Sequence, residues 1–159
     1  MIKIADTIRR MMGARNLAYE DLAAKYEEVT GLKMGQSKLS YKVRNETIHL
    51  DELRRICSIL GYTVCTREKG TEVYLPVGPV KETLSLMCLQ RQVSQREVMD
   101  IFNERYGTTY VRQSFSRKVT KDSISVSDFQ KTIDILGHEF NILDALRDNE
   151  PIGVPFNDN

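Results

Sequence analysis

The sequence has no apolar run approaching the roughly 18 residues that a membrane helix needs. Its opening stretch, residues 1–18, sets Arg9, Arg10 and Arg15 among its apolar positions, unlike the uncharged core of a signal peptide. A cytoplasmic protein without membrane contact is therefore expected. Cysteine is scarce: Cys57, Cys65 and Cys88 are odd in number and lack any CxxC or Cys/His ligand spacing, so they read as reduced, small core residues. The two histidines, His49 and His138, have no nucleophile at a useful spacing. Gly-rich phosphate loops, paired catalytic carboxylates and metal-ligand patterns are all missing, which argues against an enzyme, a cofactor or a metal site.

What is present is a repeat. An offset of 76 positions, from Thr7 to Thr83, also lays Met87 on Met11, Arg91 on Arg15, Glu104 on Glu28 and Gly107 on Gly31 without a gap. It continues through Ser116, Lys118 and Val119 on Ser40, Lys42 and Val43, and Ile135-Leu136-Gly137 on Ile59-Leu60-Gly61. Positions that are not identical keep their type, as in Leu22 with Val98, Tyr26 with Phe102, Leu39 with Phe115 and Leu53 with Phe129. One supersecondary unit is used twice. The divisions expected are a first unit at 1–62, a hairpin and linker at 63–79, a second unit at 80–138, and a strand with an acidic tail at 139–159. Units of about 60 residues bury little surface alone, so each should lean on the other.

Each unit reads as four helices. The first spans about 4–15 and 80–91, with Ile8, Met11 and Met12 matched by Leu84, Met87 and Cys88 at helical spacing. Ser94-Gln95-Arg96-Glu97 is a capping box for the second helix, stapled by Val93 and Val98. The first unit keeps the staple, Leu17 with Leu22, but has Ala18 at the cap, at a cost of about 1 kcal/mol. Gly31 and Gly107 suit the left-handed residue after that helix. A short third helix, about 36–43 and 112–119, turns Leu39 and Val43, or Phe115 and Val119, inward. The fourth begins at Ser125-Val126-Ser127-Asp128, a second capping box, or at the looser His49-Leu50-Asp51-Glu52, and ends at Gly137 or Gly61. Residues 62–66 and 71–75 read as a β-hairpin around 67–70. Residues 138–143 read as its counterpart, with Ile152, Val154 and Phe156 alternating as a return strand that Pro151 and Pro155 weaken. If both hairpins form, their strands can join the two units in one small sheet. The fold class expected is mainly α: two tandem four-helix units with one or two small hairpins between and after them.

Charge is distributed in step with the repeat. Residues 1–62 carry 11 Lys/Arg against 8 Asp/Glu and residues 80–138 carry 9 against 7, whereas residues 139–159 carry 1 against 5. The units are mildly basic and the tail is acidic. Acid is absent altogether from 29–45, which holds Lys33, Lys38, Lys42 and Arg44, and from 105–121, which holds Arg105, Arg112, Arg117, Lys118 and Lys121. The positive charge thus falls twice on the third helix.

A short polar, basic helix that follows a helix and a turn and precedes a capped fourth helix has the outline of a helix-turn-helix. Ser94-Gln95-Arg96-Glu97 resembles the second-helix start of the lambda-repressor-like (Cro/C1, XRE) family. Gln113-Ser114-Phe115-Ser116-Arg117-Lys118 resembles its recognition helix, and residues 129–137 resemble the helix that follows. The sequence departs from the family in the turn, where residues 30–35 and 106–111 replace a short Gly-x-Ser connection, and at Tyr19, which stands where the other copy has Gln95. The second copy thus looks closer to the family pattern and the first more diverged.

The resemblance implies a regulator of transcription, of repressor type, that binds double-stranded DNA through two recognition helices in one chain. Lys38, Lys42, Arg44, Arg112, Arg117, Lys118 and Lys121 would then meet phosphates, and Gln36, Ser37, Tyr41, Gln113 and Ser114 base edges, with Gln95 beside them. Such a chain imitates a dimer, and the pattern leaves room for a further homodimer. The rival class is a protein-binding module, such as a phage inhibitor of a nuclease or an antitoxin. Its support is the net charge of +1, the acidic 144–150 segment, and Tyr41 and Tyr110 taken as exposed.

Overall fold

Ile4, Ile8, Met11 and Met12 recur at helical spacing, and helix α1 (Ile4–Ala14) buries all four. The same logic runs through a computed structural model that describes residues 1–121 and 123–156. α2 (Tyr19–Thr30), α3 (Gln36–Arg44) and α4 (Leu50–Leu60) complete the first unit. The second unit consists of α5 (Val80–Arg91), α6 (Gln95–Tyr106), α7 (Arg112–Thr120) and α8 (Val126–Ile135). Strands β1 (Tyr62–Glu68) and β2 (Leu75–Pro76) follow α4, while β3 (His138–Asp144) and β4 (Glu150–Pro151) follow α8. Helix starts keep the repeat offset at every position, and β1 and β3 keep it at both ends.

The four strands form one antiparallel sheet in the order β2-β1-β3-β4, so the two units share it. Its register is the most informative feature of the molecule. Cys65 faces Asn141, its own repeat equivalent, while Tyr62 faces Asp144 and His138 faces Glu68. A second such pair lies between α3 and α4 of one unit and α7 and α8 of the other, where His49 bridges Ser125. There Leu50 N–H donates to Ile124 O at 2.9 Å and Val126 N–H to Ile48 O at 3.0 Å. Antiparallel pairing of each element with its own copy requires a pseudo-two-fold axis through both places.

Two arginines repeat across that axis. Arg15 donates from Nε to Leu60 O at 2.7 Å and Arg91 to Leu136 O at 2.9 Å, each closing the C-terminal end of its unit's fourth helix. Each also reaches across to the other unit's strand: Arg15 to Asp144 at 2.8 Å and Arg91 to Glu68 at 3.6 Å. Gly137 (φ +77) lets the arginine lie close, since a Cβ there would sit 2.0 Å from Arg91 Nη2. These contacts account for the arginine that both copies keep at this position. One apolar core runs through both units, with Leu53, Ile56 and Val64 of the first continuous with Phe129, Ile133, Phe140 and Ile142 of the second. Cys57 and Cys65 are buried in the molecule, and burial pushes the Cys65 thiol up to about 11.

Several local expectations need correction. The return strands are two residues each and contain the prolines, which sit on the sheet's edges where no neighbour needs their missing N–H. Ile152, Val154 and Phe156 form no strand after β4. Ile152 N–H still donates to Ile142 O of β3 at 2.9 Å, while Val154 and Phe156 run beside the N-terminus, where Lys3 N–H donates to Val154 O at 2.7 Å and Ile2 bridges Pro155. At α8, Ser125 Oγ accepts from Asp128 N–H at 3.1 Å, but the Asp128 carboxylate turns to Tyr110 rather than back to the cap. Asp144 is buried in β3 against Arg15, not part of a solvated acidic tail.

Candidate nucleic-acid interface

Leu39 and Val43 are buried on one side of α3, and Phe115 and Val119 on one side of α7. That anchoring, against α1 and α2 in one unit and α5 and α6 in the other, turns the opposite faces outward. α3 exposes Gln36, Ser37, Lys38, Tyr41, Arg44 and, one residue on, Asn45; α7 exposes Arg112, Gln113, Arg117, Thr120 and, one residue on, Lys121. Asn45 and Thr120 were absent from the sequence-based set, although helical spacing from Tyr41 and Arg117 places them on the same face. Ser114 is half-buried and donates from Oγ to Val111 O at 2.9 Å, which leaves only its lone pairs free.

The lysine common to both helices behaves differently from its neighbours. Lys42 ion-pairs with Glu52 of α4 at 2.7 Å, and both side chains are largely covered. Burial alone would push the Glu52 carboxyl up, but the hydrogen bonds from Lys42 and the His49 N–H hold it below the usual carboxylate value. In the second unit Tyr110 intervenes. Lys118 lies over its ring, 4.5 Å from the centroid, and donates to its hydroxyl at 3.2 Å, while that hydroxyl donates to Asp128 at 2.8 Å. Tyr110 also packs on Phe102 and Phe115, so it is half-buried, not the exposed residue the sequence suggested. Both lysines tie the third helix to the fourth, Lys42 directly through Glu52 and Lys118 by way of Tyr110 to Asp128.

Two concavities lie along the third helix of the second unit. Gln95, at the start of α6, and Arg112, at the start of α7, come together with Met99 and Phe115 around a cleft of about 290 Å³. Along α7 itself, Arg112, Gln113, Arg117 and Lys121 line an open depression of about 530 Å³. Arg105, from the same acid-free stretch, turns away to Asp134 of α8 at 3.2 Å.

Residues 7–64 match the family model of the Cro/C1-type HTH DNA-binding domain. The matched span runs from within α1 to the first residues of β1, so the resemblance holds on the copy that the sequence suggested was the more diverged. No curated protein and no solved structure matches the chain. Among the described residues, no helix is long and apolar enough to cross a membrane.

Proposed function

We propose, from the Cro/C1-type helix-turn-helix at residues 7–64, that the whole chain is a repressor-type transcription regulator with two recognition helices, α3 and α7, on double-stranded DNA. The observation that carries this is the pairing of each unit with its own copy, Cys65 against Asn141 and His49 against Ser125. Helix-turn-helix repressors obtain two-fold symmetry by dimerising, and the symmetry sets half-sites about 34 Å apart. Here the second subunit is supplied by the same chain. Linking the modules raises the effective concentration of the second once the first is bound, so modest affinity per module suffices. Lys38, Arg44 and Lys121 supply the phosphate contacts, and Gln36, Ser37, Tyr41, Gln95, Arg112, Gln113, Ser114 and Arg117 face the bases. Lys42 and Lys118 orient the helices from behind.

Binding of the purified chain to a mixed duplex pool at increasing salt tests the proposal. The expected result is a linear fall of log K with log salt concentration, whose slope reports the phosphates neutralised. Paired sites of varied spacing should then show a periodic optimum. A chain that retains no duplex at low salt is not a DNA-binding regulator.

One observation favours a protein partner instead. Val73 and Leu75 before α5, and Leu86 and Leu89 on α5, are each more than half exposed, where the repeat offset places Asn149, Pro151, Arg10 and Gly13. An inhibitor or antitoxin working through this surface would lose its partner on Leu86→Lys/Leu89→Lys and keep it after substitution of Arg117.

A further inference from the structure

We infer that the DNA site of this chain is an inverted repeat with unlike halves, in which guanines read by arginine forks fall in the half that α7 occupies. This rests on the DNA-binding role proposed above and extends it to the ligand's sequence.

The orientation follows from the sheet. A tandem repeat stacked by translation would pair strand residues of unequal repeat position and leave the two third helices pointing the same way along a duplex. Cys65 opposite Asn141 and His49 opposite Ser125 relate the units by a two-fold instead. The reciprocal contacts of Arg15 with Asp144 and Arg91 with Glu68 obey the same axis. Two helices related in this way read a duplex in opposite directions, so the half-sites are inverted.

The inequality follows from the side chains. Between α3 and α7 the inward positions keep their type: Lys42 pairs with Glu52 of the fourth helix, and Lys118 meets Tyr110, whose hydroxyl donates to Asp128 of the corresponding helix. At the outward positions the copies diverge. Gln36 stands where α7 has Arg112, Ser37 where it has Gln113, and Tyr41 where it has Arg117. Arg112 and Gln113 open α7, the end from which recognition helices contact base edges. Arginine forks onto the O6 and N7 of guanine, glutamine onto the N6 and N7 of adenine, and tyrosine has no such fork. Arg112 and Arg117 are exposed and line one depression with Gln113. Neither has an ion-pair partner among the described residues, so both forks are available to a ligand. Arg44, the one arginine of α3, is its last residue, remote from the base-reading end. Because the two-fold contacts lie within a single chain, the reading faces are free to differ while the interface stays symmetric.

Selection from a random duplex pool with the full chain tests this, using wild type, Arg112→Lys/Arg117→Lys and Gln36→Ala/Tyr41→Ala. Wild type should recover two inverted, non-identical segments with guanines enriched in one. The lysine variant keeps both charges but lacks the forks. It should weaken the guanine preference in that segment alone, with at least about tenfold weaker binding to the wild-type site and an unchanged salt slope. Gln36→Ala/Tyr41→Ala should alter the other segment alone. Identical halves, direct orientation, or guanine enrichment that is undiminished in the lysine variant would overturn the inference and leave the DNA-binding role standing, as would duplex binding without sequence preference. Failure of wild type to bind the pool at low salt would overturn both.

Discussion

Arg15 and Arg91 occupy the same place in two copies, yet their surroundings give them unequal weight. Arg15 meets a nearly buried Asp144, its side chain 4% exposed, whereas Arg91 meets Glu68, whose side chain is 57% exposed. Removing one partner of a buried pair strands a charge, while an exposed pair contributes little. Arg15→Ala should therefore lower unfolding free energy by about 3 kcal/mol, and Arg91→Ala by about 1 kcal/mol, measured by urea denaturation. The hydrogen bond from Arg15, with that from the Leu146 N–H, holds the Asp144 carboxyl below its ordinary value against the opposing effect of burial. A carboxylate with a depressed pKa in the folded state stabilises the fold above its unfolded pKa, near 4, and loses that contribution as pH falls further. Arg15→Ala should flatten this acid limb, and unfolding followed from pH 7 to pH 2 checks it. The lysines separate in a similar way. Lys42→Met leaves Glu52 buried without its cation and should cost about 2 kcal/mol of stability. Lys38→Ala should cost almost nothing in stability and lower the salt slope of DNA binding by about one.

At the scale of elements, the two copies cap their second helices differently. Ser94 and Glu97 form a complete box at α6, with Oγ accepting at 3.1 Å and the carboxylate accepting the Ser94 N–H at 2.8 Å. At α2 only half of it exists, since Asp21 accepts the Ala18 N–H at 2.9 Å and Ala18 offers no oxygen in return. Ala18→Ser should complete the box and add about 1 kcal/mol, seen as a higher melting temperature. Helix positions were legible in the sequence because caps, staples and left-handed glycines are local signals, and the repeat supplied each of them twice. Leu39 and Val43 could be turned inward for the same reason. The destination of Lys42 could not, because its partner lies on another helix, and a lysine stem serves a phosphate or a carboxylate equally well. The alternation of Ile152, Val154 and Phe156 misled, since period two describes any extended segment with one face covered. Here that cover is the chain's own start.

For the whole molecule, the repeat announced two copies, but nothing local in the sequence fixes how they meet. Pairing of residues far apart in the chain, Tyr62 with Asp144 and Ile48 with Val126, decides it. The backbone pairing of Ile2 and Lys3 with Pro155 and Val154 carries a consequence of its own. It occupies, at one end of the shared sheet, the place that the covalent linker from Pro76 to Val80 occupies at the other. Topologically the chain is close to a ring with one cut. A circular permutant, its old termini joined by a short Gly/Ser linker and a new opening made after Gly70 in the exposed turn, should fold to the same structure. Its melting temperature should fall within a few degrees of the parent's, and its DNA preference should be unchanged. The α5–α8 unit would then leave the ribosome before the α1–α4 unit, making the order of synthesis a property of the gene and not of the fold.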